Sequence, residues 1–264
     1  MVPEVGEYWS ANCHEDRKMT YGLAIRVEDG LVFCSDSRTS AGTDHINVYS
    51  KMHTFAYPGK RFFCLLSAGN LATTQAVLQR LRSDIAQPGQ SLWTVPTLSA
   101  AADYIGLISA DVQRNQSSRD SASTVFEATF ILGGQIQRGE TGIYLVYPQG
   151  NYIHESAEHP FLQVGEIKYG KPILDRVVHS GLSLETAGRC ALVSMNSTIR
   201  SNLTVGAPVE LLFYRNGSLE PWNYLNLEED DLFYRSIADS WSQGLTRAMD
   251  ALPMFPWEQK NSPA

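Results

Sequence analysis

Apolar positions fall first into short runs and then into helical stripes. Tyr21 to Val27 and Leu31 to Ser35 are compact, largely apolar runs separated by Glu28-Asp29-Gly30, which predicts a tight hairpin. Val48 to Ala56 and Arg61 to Ser67 flank Tyr57-Pro58-Gly59 and predict a second one. After Gly69 the period changes. Leu71, Thr74, Leu78, Leu81 and Ile85 share one helical face, and Pro88-Gly89 ends it. Leu98, Ala101, Ile105, Ile108 and Val112 mark a second helix. A second strand block is predicted at Val125 to Leu132, Thr141 to Tyr147 and Tyr152 to Glu155, with Gly133-Gly134 and Pro148-Gln149-Gly150 as turns. Helices follow at about 170–180 and 183–199, the latter with Leu184, Ala187, Ala191 and Met195 inward. Val209 to Tyr214 and Leu219 to Tyr224 surround an Asn216-Gly217 turn. A last amphipathic stripe carries Phe233, Ile237, Trp241, Leu245, Ala248 and Leu252. Pro253, Pro256 and Pro263 then predict a non-helical tail.

Strands thus arrive in antiparallel blocks with helices paired between them, not in βαβ alternation. That order fits an α+β fold: a four-layer αββα sandwich of two antiparallel sheets flanked by helix pairs. A chain of 264 residues suits one domain, expected over 20–264. Residues 1–19, which lack a clear period, are expected to be a leader or pro-segment outside the mature protein. With 43% hydrophobic and 19% charged residues, wholesale disorder is excluded. The net charge of −7, without a like-charge block, argues against nucleic acid or an anionic membrane surface as partner. No apolar run is long enough to span a bilayer, and the first residues lack the apolar centre of a secretory signal. Cys13, Cys34, Cys64 and Cys190 are scattered without a CxxC pair, as expected of reduced thiols in a cytoplasmic protein.

The sequence lacks GxSxG, SxxK, a Walker phosphate loop and GxGxxG. His154-Glu155-Ser156-Ala157-Glu158-His159 narrowly misses HExxH and falls at a strand end, where two histidines cannot share a helical face; a solvated loop is expected, and no metal or cofactor. His45, His53 and His179 have no paired motif. One constellation remains: Met19-Thr20 opening the first strand, Ser35-Asp36-Ser37-Arg38 ending the second, and Ser50-Lys51-Met52 opening the third. A threonine at a free chain start can hand its hydroxyl proton to its own α-amine, which titrates near 7.7–8.0. A lysine ammonium beside it lowers that pKa and stabilises an alkoxide, and an aspartate keeps the lysine charged and in place. Thr20, Lys51 and Asp36 supply those three roles. Arg38 reads as a charge-network residue holding Asp36. Ser67-Ala68-Gly69-Asn70 leads from a strand into a helix, so a backbone N–H near Gly69 suits an oxyanion.

At these residues, from Thr20 to about Tyr214, the chain resembles the proteasome β-type peptidases, a branch of the N-terminal nucleophile hydrolases. Thr20, Glu28-Asp29-Gly30, Ser35-Asp36-Ser37-Arg38, Lys51-Met52 and Ser67-Ala68-Gly69 with Gln75 behind occur in the family's order. The stretch Phe161 to Arg176 and the extra C-terminal helix look like the bacterial Anbu group of that family. The resemblance implies the N-terminal nucleophile hydrolase fold and a threonine endopeptidase acting on peptide or protein through an acyl-enzyme on Thr20. It also implies a homo-oligomer, a ring or an open spiral, with any unfoldase partner unknown. Two family positions differ. A supporting Gly-Ser pair reads Gly165-Glu166, and a late Asp-x-x-Ser element reads Ser201-Asn202-Leu203-Thr204, which makes Ser201 and Thr204 candidate supports of the nucleophile. The alternatives are an amidohydrolase of the same mechanism acting on small amides, and a catalytically weak assembly subunit.

Overall fold

The computed structural model describes residues 20–40, 46–119 and 124–259; the expected leader, Cys13 and His45 lie outside them. Two five-stranded antiparallel sheets form the centre among the described residues. The first contains β1 (Tyr21–Val27), β2 (Gly30–Asp36), β10 (Phe161–Gly165), β11 (Val209–Arg215) and β12 (Pro221–Leu227), ordered β10-β1-β2-β11-β12. The second runs β5-β6-β7-β8-β9, from β5 (Met52–Tyr57), β6 (Arg61–Gly69), β7 (Ala128–Ile136), β8 (Gly142–Val146) and β9 (Tyr152–His154). A small ribbon pairs β3 (Arg38–Ser40) with β4 (Ile46–Val48).

Alternation along each strand sorts side chains between layers. Leu23, Ile25, Val32 and Cys34 face outward against α3 (Lys171–Val177), α4 (Leu184–Ser201) and Tyr234 of α5 (Leu232–Asp250). Phe63, Leu65, Phe130 and Leu132 face the other way, against α1 (Leu71–Ile85) and α2 (Leu98–Ser117). Between the sheets lie Ala24, Phe33, Phe62, Leu66, Ile131 and Tyr214, with the Phe62 and Tyr214 rings stacked at 4.8 Å. This is the expected four-layer α+β sandwich. Burial on both faces explains why the strands read as near-continuous apolar runs rather than strict alternations.

Several boundaries differ from the sequence reading. Gly133-Gly134 is not a turn but the middle of β7. A Cβ on Gly133 would meet the Phe33 ring at 2.5 Å, and one on Gly134 the Phe62 carbonyl oxygen at 2.1 Å, so the glycines serve close approach between strands and sheets. Val48 belongs to β4, and β5 starts only at Met52. Phe161–Gly165, not anticipated as a strand, forms β10 beside β1. Pro256 opens a short helix, α6 (Pro256–Gln259), as a proline at a first helical position can. Glu155 is not solvated: it is buried, accepting from Arg26 Nη1 at 2.9 Å and from the Ile143 N–H at 3.0 Å.

Candidate active site

Asp36 is the last residue of β2 and is wholly buried. One of its oxygens, Oδ1, accepts from the Tyr21 N–H at 3.0 Å and from Lys51 Nζ at 2.8 Å. The other accepts from the Gly206 N–H at 3.3 Å. A single carboxylate oxygen therefore ties the lysine to the first peptide group after Thr20. Lys51, itself buried, also donates to the Arg38 carbonyl at 2.6 Å. Burial pulls the Lys51 ammonium down from the ordinary lysine range, with Asp36 opposing it. Burial likewise pushes the Asp36 carboxyl up, against the ammonium and the two amides. The pair is held as an ion pair by three converging donors on one carboxylate.

Thr20, Lys51, Ser67, Gly69, His53 and Arg82 are among the residues that line one cleft of about 610 Å³. The Ser67 N–H donates to the Lys51 carbonyl at 2.9 Å, fastening the end of β6 to the lysine segment. Gly69 ends β6 with φ +110°, and a Cβ there would lie 2.3 Å from the Glu127 carbonyl oxygen, so no other residue fits. Asn70 then caps α1, accepting from the Thr73 N–H at 3.1 Å, and the cleft is floored by the first turns of that helix. Burial and Arg82 push the His53 ring down to about 4, so His53 is neutral at neutral pH.

Thr20, Lys51 and Gly69 line this cleft, and Asp36 is buried behind Lys51. The fold places the others elsewhere in the same neighbourhood. The Arg38 guanidinium donates to the Leu203 carbonyl at 3.0 Å, while its own carbonyl meets the lysine. Ser201 is exposed at the end of α4, and Thr204 Oγ1 donates to Asn202 Oδ1 at 2.7 Å.

The sequence reading missed Glu210, Asn202 and Gly206. Glu210 is buried on β11; its carboxylate accepts from Ser37 Oγ at 3.2 Å, Ser50 Oγ at 3.0 Å and Tyr224 Oη at 2.7 Å. It thereby grips the neighbours of both Asp36 and Lys51. The available signal was a lone charge inside the apolar run Val209-Glu210-Leu211-Leu212.

A buried lysine–aspartate pair is thus tied to the first residue of β1 in a sandwich of two antiparallel sheets. The proteasome subunit family model matches residues 20–212, and the chain belongs to that family. Among solved structures it is similar to the Anbu subunit in the helical Anbu complex from Pseudomonas aeruginosa, with 44% identity and TM-score 0.86 over 90% of this chain and 98% of that one. Anbu from Yersinia bercovieri is similar at 39% identity and TM-score 0.84, covering 89% and 99%. The proteasome β subunit of Haloferax volcanii is 22% identical over 241 residues, 86% of this chain and 88% of that protein. No helix among the described residues is long and apolar enough to cross a membrane.

Proposed function

We propose that the chain is a threonine-type peptidase whose mature form starts at Thr20 and hydrolyses peptide bonds through an acyl-enzyme on Thr20 Oγ. The observation that carries this reading is the Asp36 oxygen shared by Lys51 Nζ and the Tyr21 N–H, which fixes an ammonium beside the Thr20 peptide. The family match beginning at Thr20 supports it. In the proposed mechanism, the neutral α-amine takes the hydroxyl proton while the oxygen attacks the substrate carbonyl. Lys51 stabilises the alkoxide, and the backbone at Gly69 faces the developing oxyanion. The protonated amine then gives its proton to the leaving amine. Water, activated by the same amine, releases the acyl group.

The test is hydrolysis of a fluorogenic peptide amide and an unfolded protein against a small primary amide, each followed across pH. Cleavage of the polypeptides is expected, the rate rising with an inflection between roughly pH 6 and 8 as the amine loses its proton. His53→Gln should leave that inflection in place, because the ring is already neutral there. A flat profile from about pH 5 to 9 would remove the amine from the rate-limiting step.

The same reading includes homo-oligomerisation. Tyr234 is the buried residue of α5, whereas Phe233, Leu245, Met249, Leu252, Phe255 and Trp257 are exposed, Trp257 to 64%. An apolar face of this kind marks an interface, and the helical Anbu assembly supports another copy of the chain as its partner. Sedimentation at micromolar concentration should give a species several times the mass of one chain, and L245E/M249E should shift it toward a monomer. An intact protein sedimenting as a monomer would contradict this.

A further inference from the structure

Glu166 follows the end of β10, and two backbone contacts fix its place beside Thr20. Its N–H donates to the Thr20 carbonyl at 2.8 Å. Gly165, with φ +77°, lets the chains approach so closely that a Cβ there would lie 1.9 Å from the Thr20 carbonyl oxygen. Glu166 is 8% exposed. Its Oε2 accepts from Asn202 Nδ2 at 3.1 Å. That amide has one sensible orientation. Asn202 Oδ1 accepts from the Thr204 N–H at 2.9 Å and from Thr204 Oγ1 at 2.7 Å, leaving its NH₂ end for the carboxylate. The second oxygen, Oε1, is buried without a hydrogen-bond partner among the described residues; Lys168 Nζ, on an exposed side chain, is 4.0 Å away.

A buried carboxylate oxygen without a donor is costly, and folds rarely leave one without a use. Breaking the peptide bond before Thr20 turns an amide nitrogen in this neighbourhood into an ammonium with three donors. Resting on the proposed function, we infer that Glu166 is a positioning residue for the mature α-amine: Oε1 accepts from the Thr20 ammonium, and the Thr204–Asn202 relay holds the carboxylate in place. Among the described residues, the charged and titratable groups near that amine are Glu166 and Lys168 after β10, the Asp36–Lys51 pair with Arg38 and Glu210 acting on it, and His53 and Arg82 lining the cleft. Glu166 raises the amine pKa and Lys51 lowers it. The amine is thus poised by a charge where the family resemblance leads one to expect a neutral hydroxyl.

Glu166→Gln removes the charge and keeps the shape. In protein processed to Thr20, the α-amine pKa is read by competitive acylation with acetic anhydride over roughly pH 5 to 9, followed by peptide mass spectrometry, which needs no turnover. The expected result is a fall of about one unit in Glu166→Gln, with the acid limb of the rate profile moving to lower pH by the same amount. Glu166→Asp should keep the amine pKa nearer that of the parent. An α-amine pKa unmoved by Glu166→Gln would overturn this inference alone, whatever happens to the rate. A parent protein that never exposes a Thr20 α-amine would overturn the proposed function and this inference with it.

Discussion

Lys51→Ala is expected to lower turnover by about 10²- to 10⁴-fold, the usual span for losing a positioned proton-transfer or charge-stabilising group. Lys51→Arg should not rescue it, because a planar fork cannot take the place of a compact ammonium against Asp36 and the Arg38 carbonyl. The single substitution also strands Asp36, whose carboxylate has no exposure, and breaking a buried pair costs about 3–5 kcal/mol. Stability loss and catalytic loss would then be confounded in that variant. The double variant Asp36→Asn/Lys51→Met separates them. It removes both charges at similar volume, so its thermal midpoint should exceed that of either Asp36→Asn or Lys51→Met alone, while turnover stays as low as in Lys51→Ala. Turnover in the double variant within a few-fold of the parent would make the pair a purely structural feature.

The largest effect belongs to Thr20. In protein processed to residue 20, Thr20→Ala keeps an α-amine, the cleft and the Asp36 contact to the Tyr21 N–H, and loses only the hydroxyl and a methyl group. Peptide hydrolysis is expected to fall to background, with unchanged sedimentation and thermal midpoint. Thr20→Ser retains the hydroxyl and should keep measurable turnover, with the same pH inflection. Residual hydrolysis by Thr20→Ala above that of Lys51→Ala would show that another group attacks the substrate.

How much of this was legible in the sequence depends on the range of the forces involved. The helices α1, α2 and α4 were readable because their apolar stripes repeat locally, and Thr74, Leu78 and Leu81, like Ala187, Ala191 and Met195, are buried where the period puts them. Gly133-Gly134 misled because a glycine pair reads as a turn, whereas its cause is the Phe33 ring of the facing sheet and the Phe62 carbonyl of the next strand. Neither is visible within a window around residue 133. The helical stripe on α5 was right in period, and Phe233 and Leu245 on it face solvent, whereas Ile237 of the same stripe packs on the core and Tyr234, outside the named stripe, is buried.

The same distinction runs through the site. Asp36 and Lys51 could be named because buried charges with complementary chemistry stand at the ends of recognisable strands. Asn202 and Gly206 carry no local signature, and Glu210 shows only as a lone charge in an apolar run. Their roles come from contacts across 36, 170 and 160 positions, to Glu166, Asp36 and Ser50. Glu166 was noticed as a departure from a family pattern, but only its Oε1, buried without a hydrogen-bond partner among the described residues, gives that departure a chemical meaning.

The central claim is that the hydroxyl and the α-amine of one residue, Thr20, act together. Its most direct test treats active protein with an electrophile able to bond both groups of an N-terminal threonine, then combines intact mass with peptide sequencing of the adduct. The predicted result is a chain that starts at Thr20, one probe per active chain joined through both Thr20 Oγ and the Thr20 nitrogen, and loss of turnover in proportion to labelling. Fully active protein that retains Met19 joined to Thr20, or an inactivating adduct on any other residue, would contradict the account.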